Sequence, residues 1–234
     1  MKIGPNIVDE GLIFYIDAAN IKSYPGSGTT ATDLINNISG DLENDVSITS
    51  TPSNFVFGTS GIDDYIDLGN ESILNPTETT IMAWANPTTV AHVSSYFPRV
   101  MTKSDSSNRS YEFGVYQNDN SILFQGRQAN STWNYAHGPA NSVPNNQWTC
   151  IAFSFKIGET CKAYTNGTEV SSYQDQTTPT QGLISTSGNA MIARASQHSD
   201  GYWNGQIGPI QMYNRALSAS EVLQNYRALK GRFE

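Results

Sequence analysis

The sequence is poor in cysteine, in basic residues and in long apolar runs, and each scarcity removes a class of protein. Its two cysteines, Cys150 and Cys161, fall on what read as the arms of one hairpin. A turn over residues 156–160 pairs Cys150 with a residue near Asn166, which leaves the two sulfurs several residues apart or on opposite faces. That is beyond bonding reach. Both are expected to be reduced, small apolar side chains, silent about redox compartment. Lys and Arg number 13 against 21 Asp and Glu, for a formal charge of −8, and no basic run is present. Such a surface repels phosphate backbones, so no nucleic-acid partner is expected. No apolar run approaches the ~20 residues that cross a bilayer, so no membrane insertion is expected. Lys2 is followed by Asp9 and Glu10 and then only a short apolar stretch. That does not fit a secretory signal peptide.

What is present suits many short strands. Nineteen Gly and ten Pro are spread along 234 residues, with 38% hydrophobic content and no linker-like composition shift. One domain over residues 11–234 is expected, preceded by an arm, residues 1–10, either loose or docked on a neighbouring subunit. Residues 11–17 (GLIFYID) read as a first strand and residues 18–40 as a long surface loop. Strands follow over 55–57, 65–68, 81–85, 100–103, 111–116, 122–127, 133–136, 148–155, 161–165, 170–173 and 190–194. Alternation is clear in YEFGVY and WNYAH, and Asn166-Gly167 is the strongest hairpin signal. Near the end, Ile207, Ile210, Met212 and Tyr213 read as a buried strand. Ser218 then opens a helix with Glu221 three residues on, a capping box, and Gly231 is the expected stop. The fold class is all-β: an antiparallel β-sandwich with a short C-terminal helix on its outside.

Several segments together resemble the laminin-G-like jelly roll of the concanavalin A-like superfamily. They are IDDYIDLG (62–69), TTIMAWANPT (79–88), the RVMTK and YEFGVY strands, the hairpin of residues 147–167, and WNGQIGPIQMYNRALSASEV (203–222). Their order and spacing carry the likeness. The front segment, GLIFYIDAANIKSYPGSGTTATDL, is similar to the opening of laminin-G-like virion proteins of contractile-tailed, often marine, phages. That resemblance implies a non-catalytic protein of the virion surface, an appendage, fibre or capsid decoration, assembled in the host cytoplasm. The partners it implies are other virion proteins, a host cell-surface glycan, and further copies in a homo-oligomer. It also implies calcium at one rim of the sandwich, for which Asp17, Asp63 and Asp64 are the candidates. The alternative, that these carboxylates only cap turns, stays open. One departure is plain: relatives place an Asp directly after the Phe of the early strand, whereas Gly58 follows Phe57 here.

Some jelly rolls of this superfamily hydrolyse glycosides with two carboxylates across a cleft. Their Glu-x-Asp-x-x-Glu strand pattern is absent. His92, His137 and His198 show neither metal spacing nor a Gly-x-Ser-x-Gly neighbour. Sugar binding instead needs exposed aromatic faces beside planar polar groups. Trp133, Tyr135 and His137 alternate along one strand, so they share a face. Tyr96, Tyr202 and Trp203 lie in or beside loops, with Arg99 and Arg127 as polar companions. Filling of the core is the competing role for these aromatics, and it is the expected one for Trp84 and Trp148. A purely structural decoration protein and a glycan-active enzyme are the alternatives to glycan recognition.

Overall fold

The computed structural model describes residues 5–51, 54–60, 63–88, 97–196 and 201–233. Among them the strands run β1 (Leu12–Ile16), β2 (Thr30–Thr32), β3 (Ser39–Glu43), β4 (Ser47–Thr51), β5 (Asn54–Ser60) and β6 (Tyr65–Asp67). They continue with β7 (Thr79–Pro87), β8 (Arg99–Ser104), β9 (Arg109–Tyr116), β10 (Ser121–Arg127), β11 (Trp133–His137) and β12 (Thr149–Lys156). The last are β13 (Glu159–Thr165), β14 (Thr168–Glu169), β15 (Asp175–Gln176), β16 (Ala190–Ile192) and β17 (Asn204–Tyr213), followed by helix α1 (Ala219–Leu229). One sheet is ordered β14-β13-β12-β7-β17-β5-β4, with β1 also on β17; the other is ordered β15-β11-β10-β9-β8-β16-β6-β3-β2. Every pairing described is antiparallel, and the two sheets enclose a core in a jelly-roll sandwich.

Alternation assigns the faces. Tyr111, Phe113, Val115, Ile122, Phe124 and Phe153 point between the sheets, where Phe124 stacks on Phe153 at 3.7 Å. Ile66 and Leu68 are buried as their strand pattern requires, leaving Tyr65 and Asp67 on the outer face. β17 lies mid-sheet, between β7 on one side and β5 and β1 on the other. Its register shifts between Ile207 and Ile210, at Gly208-Pro209. Proline lacks a ladder donor, and a bulge accommodates it. The Asn166-Gly167 turn has φ of 49° and 77°, the left-handed pair that a two-residue hairpin needs. Cys150 and Asn166 are hydrogen-bonded neighbours there. Cys161 faces the sandwich core while Cys150 faces the helix side, and both are free thiols.

A second apolar layer lies outside the first sheet. Val222 and Leu229 of α1 pack on Met82, Trp84, Cys150, Ala152, Tyr164 and Tyr213. Trp84 stacks against Tyr226 at 5.6 Å and Phe233 at 4.4 Å, and Trp148 meets Phe233 at 4.8 Å. Trp84 is therefore a core residue of this outer layer and not of the sandwich, and the partly buried Trp148 packs against the same layer. Residues 5–10 dock on the same helix: the Val8 N–H donates to Asn225 Oδ1, and the Tyr213 hydroxyl donates to the Val8 carbonyl. That stretch of the arm is fastened to its own chain.

Three local expectations are corrected. Residues 18–40 carry β2 and the start of β3, and they bury Tyr24, Ala31, Asp33 and Ile38. Asp33 anchors the excursion by accepting from the Tyr15 and Asn36 N–H groups, both at 2.6 Å. The edge strand β4, with Ile48 as its single apolar residue, has too little apolar pattern to read as a strand. The strand expected over 170–173 is instead the two-residue β14. Finally, Gly231 does not end α1, because the chain continues into a 3-10 turn, Lys230–Arg232.

The capping box forms as read. The Glu221 N–H donates to Ser218 Oγ, and the Ser218 N–H donates to Glu221 Oε2. Arg215 grips the same carboxylate at 2.6 and 3.1 Å and, as the largest cause, holds its pKa down at about 2, from 4.5. A depressed carboxylate pKa adds stability above the unfolded value, and that stability drains away as pH falls toward the folded value. The wild type should therefore lose stability between pH 4.5 and about 2, where Glu221→Gln should show a flatter profile. Denaturant midpoints measured across that range check this; parallel profiles would refute it.

Candidate functional site

The outer face of the second sheet carries a row of partly exposed aromatics on β11. On β11 the burial pattern alternates, with Trp133, Tyr135 and His137 half-buried on one face and Asn134 and Ala136 buried. Strand register places Arg127 opposite Trp133, Gln125 opposite Tyr135, and Leu123 opposite His137. The Trp133 and Tyr135 rings lie 24° from parallel with centroids 6.5 Å apart. The guanidinium groups of Arg109 and Arg127 flank the indole at 5.6 and 5.9 Å, within cation–π range. This open wing of β9, β10 and β11 is a half-exposed aromatic platform edged with donors.

Glu112 sits at the foot of the platform and went unremarked in the sequence. It is fully buried, faces Gln125 across the β9–β10 ladder, and faces Thr102 across the β8–β9 ladder. Its Oε2 accepts from Gln125 Nε2 and from Arg99 Nη2 at 3.3 Å, with Arg109 Nη1 at 3.8 Å. Its Oε1 has no hydrogen-bond partner among the described residues. The available signal was a lone Glu inside an apolar strand adjoining a strand that begins with Arg.

Two expected ligand contacts are corrected. Arg99 is fully buried, roofed by Phe97 at 4.1 Å and by Gly201, and is spent on Glu112. Trp203 is 0% exposed and belongs to the sandwich core, so no ring face is left for a sugar. Tyr202 is half-buried, but it pairs with Tyr65 at 6.5 Å beneath Arg194, not with Trp133. The backbone at Arg194 and Ser196 bonds to the Thr102 hydroxyl on β8 and so divides the two aromatic groups. From β11 to β6 the sheet order counts five strand steps, about 24 Å. Tyr96, His92 and His198 lie outside the described residues.

Among the described residues the three calcium candidates, Asp17, Asp63 and Asp64, form no carboxylate cluster. Asp17 is buried and clasped through both oxygens by Arg232, at 2.6 and 2.8 Å. Asp64 is buried and accepts from the Asp45 N–H, leaving Asp63 as the exposed carboxylate of the three. Among the described residues no group of three His, Cys, Asp or Glu could hold a metal ion.

A Ser, a His and an Asp do meet, which the sequence reading did not foresee. His137 Nε2 lies 2.7 Å from Ser121 Oγ, and Ser121 Oγ donates to Asp119 Oδ1 at 2.5 Å. The order is wrong for nucleophilic attack, since the serine proton points at the acid instead of the imidazole. Ser121 is also fully buried. Desolvation holds the His137 pKa below its ordinary value, against the opposing pull of Asp119 and Asp175. The cluster braces the β9–β10 turn, and Gln174 adds a 2.6 Å bond to Asp119.

The fold and this face define a lectin-like β-sandwich. Residues 59–223 match the model of the concanavalin A-like lectin/glucanases superfamily, and the chain belongs to that superfamily. No curated protein matches it in sequence. Among solved structures it is similar to the binding domain of Paraclostridial Mosquitocidal Protein 1, at TM-score 0.68 and 13% identity, covering 92% of this chain and 52% of that one. It is also similar to domain 4 of AbnA, an extracellular arabinanase of Geobacillus stearothermophilus, solved with arabinotriose. There the TM-score is 0.66 and the identity 16%, covering 92% and 98% of the two chains. The botulinum neurotoxin serotype D binding domain aligns at TM-score 0.63 and 11% identity, covering 92% and 51%. The chain thus spans about half of each toxin domain and nearly all of the arabinanase domain. At such identities the likeness is one of fold.

Proposed function

We propose that this chain is a non-catalytic glycan-binding module whose ligand lies on the open wing of β9, β10 and β11. The observation that carries it is the half-exposed Trp133–Tyr135 pair with Gln125 and Arg127 directly opposite in the ladder. Aromatic faces supply apolar contact for sugar C–H surfaces, and planar polar groups at their edge take the hydroxyls. The arabinanase domain bound to arabinotriose supports the reading by analogy of fold. Glu112 is tied to Arg99 and Gln125, which favours a structural carboxylate over an acid catalyst. The similarity of the front segment to phage virion proteins supports a place on a particle surface, where such a module would meet host glycans. Calcium has no part in this reading.

A glycan array probed with and without EDTA tests it. Binding should survive EDTA, and Trp133→Ala should weaken it about tenfold or more, the loss expected when an aromatic anchor is truncated. Uniform silence at high protein concentration would favour a purely structural decoration protein.

A further inference from the structure

The chain carries seven arginines under a formal charge of −8, and Arg99, Arg109, Arg127 and Arg194 all sit along one sheet face. Arg99 is committed to Glu112, and Arg194 lies on Tyr65 and Tyr202. Arg127 is different. Its Nε donates to the Ser131 carbonyl at 3.2 Å and its Nη1 to the Ser107 carbonyl at 3.1 Å. These bonds pin the guanidinium beside Trp133 without neutralising it. Among the described residues no carboxylate pairs with Arg127. Asp105, at the neighbouring turn, accepts instead from the N–H groups of Ser107, Asn108 and Ser187.

A neutral sugar needs donors at this edge but no charge, and an amide such as Gln125 would serve. A fixed guanidinium keeps further N–H donors in a planar fork that matches an oxyanion bidentately. An acidic protein also repels acidic polymers over most of its surface, so a patch that accepts one must be locally cationic. We infer that the ligand of this face is an acidic saccharide, whose ring lies on the Trp133–Tyr135 platform and whose carboxylate or sulfate is held by Arg127. Arg109, on the same indole, shares the single Glu112 carboxylate with Arg99, so those three groups leave one formal positive charge beside Arg127. This rests on the reading of the wing as a glycan platform and adds the charge of its ligand.

The test compares binding of the full chain to three probes at low and high salt. They are a uronic-acid oligosaccharide, its carboxyl-reduced counterpart of the same linkage, and a sulfated oligosaccharide. One acidic probe should bind about tenfold or more tightly than the reduced one, as one charge-assisted contact allows. The advantage should shrink with salt. Which acidic probe wins tells carboxylate from sulfate. Arg127→Gln should remove the advantage while leaving binding of the reduced probe, and Arg127→Lys should keep part of it. Trp133→Ala should weaken all binding alike. Reduced and acidic probes binding equally would overturn the acidic ligand and leave the platform standing. So would an acidic preference unchanged in Arg127→Gln. Silence toward all three would overturn both.

Discussion

Glu112→Ala is expected to remove about 3–5 kcal/mol of folding stability, the usual consequence of deleting one member of a buried ion pair. Both side chains of the Arg99–Glu112 pair are 0% exposed. The guanidinium has already surrendered its hydration, and the carboxylate is its counter-charge, 3.3 Å away. Deleting the acid also takes an acceptor from Gln125 and an ion-pair partner from Arg109. The cost is an asymmetry and not a measure of what the pair contributes. Replacing both partners with apolar residues of similar volume, Arg99→Met with Glu112→Leu, should recover much of the loss. Denaturant unfolding of the two single variants and the double variant checks this. A single-variant loss below about 1 kcal/mol would show that the pair is more solvated than its burial implies.

Trp203→Ala should be comparably severe, at about 3–5 kcal/mol, the range for truncating a buried aromatic. Trp203 packs in the sandwich core just ahead of β17, held in place by its backbone N–H, which donates to the Ala193 carbonyl at 2.8 Å. Truncation would open a cavity where β16 and β17 bring the two sheets together. Trp203→Phe keeps most of the apolar surface and should cost less. Neither variant should alter the glycan preference of the folded fraction, whereas Trp133→Ala should do the reverse, disturbing binding more than stability. A Trp203→Ala protein with wild-type stability and lost binding would return this ring to the ligand site.

These two residues mark where a sequence reading stops. Features whose partners lie within a few positions were legible: the Ser218–Glu221 box, the Asn166-Gly167 turn, the separation of Cys150 from Cys161, and the common face of Trp133, Tyr135 and His137. The platform was legible for the same reason, because a period of two puts alternate side chains on one side. Asp17 read as a rim ligand because it ends a strand, and its true partner, Arg232, is 215 positions away. Residues 18–40 read as surface because polar residues outnumber apolar ones, yet one buried carboxylate, Asp33, ties them down.

By itself, then, the sequence determined an all-β chain of antiparallel strands closed by one helix, and which side chains share a side of each strand. The tertiary structure alone decided which sides are covered. The Arg194–Ser196 backbone crosses β8 beside buried Arg99 and Glu112, α1 seals Trp84, and the wing bearing Trp133 and Arg127 stays open. Strand periodicity is a property of neighbours in the chain, whereas burial is a property of whatever distant segment comes to lie on top.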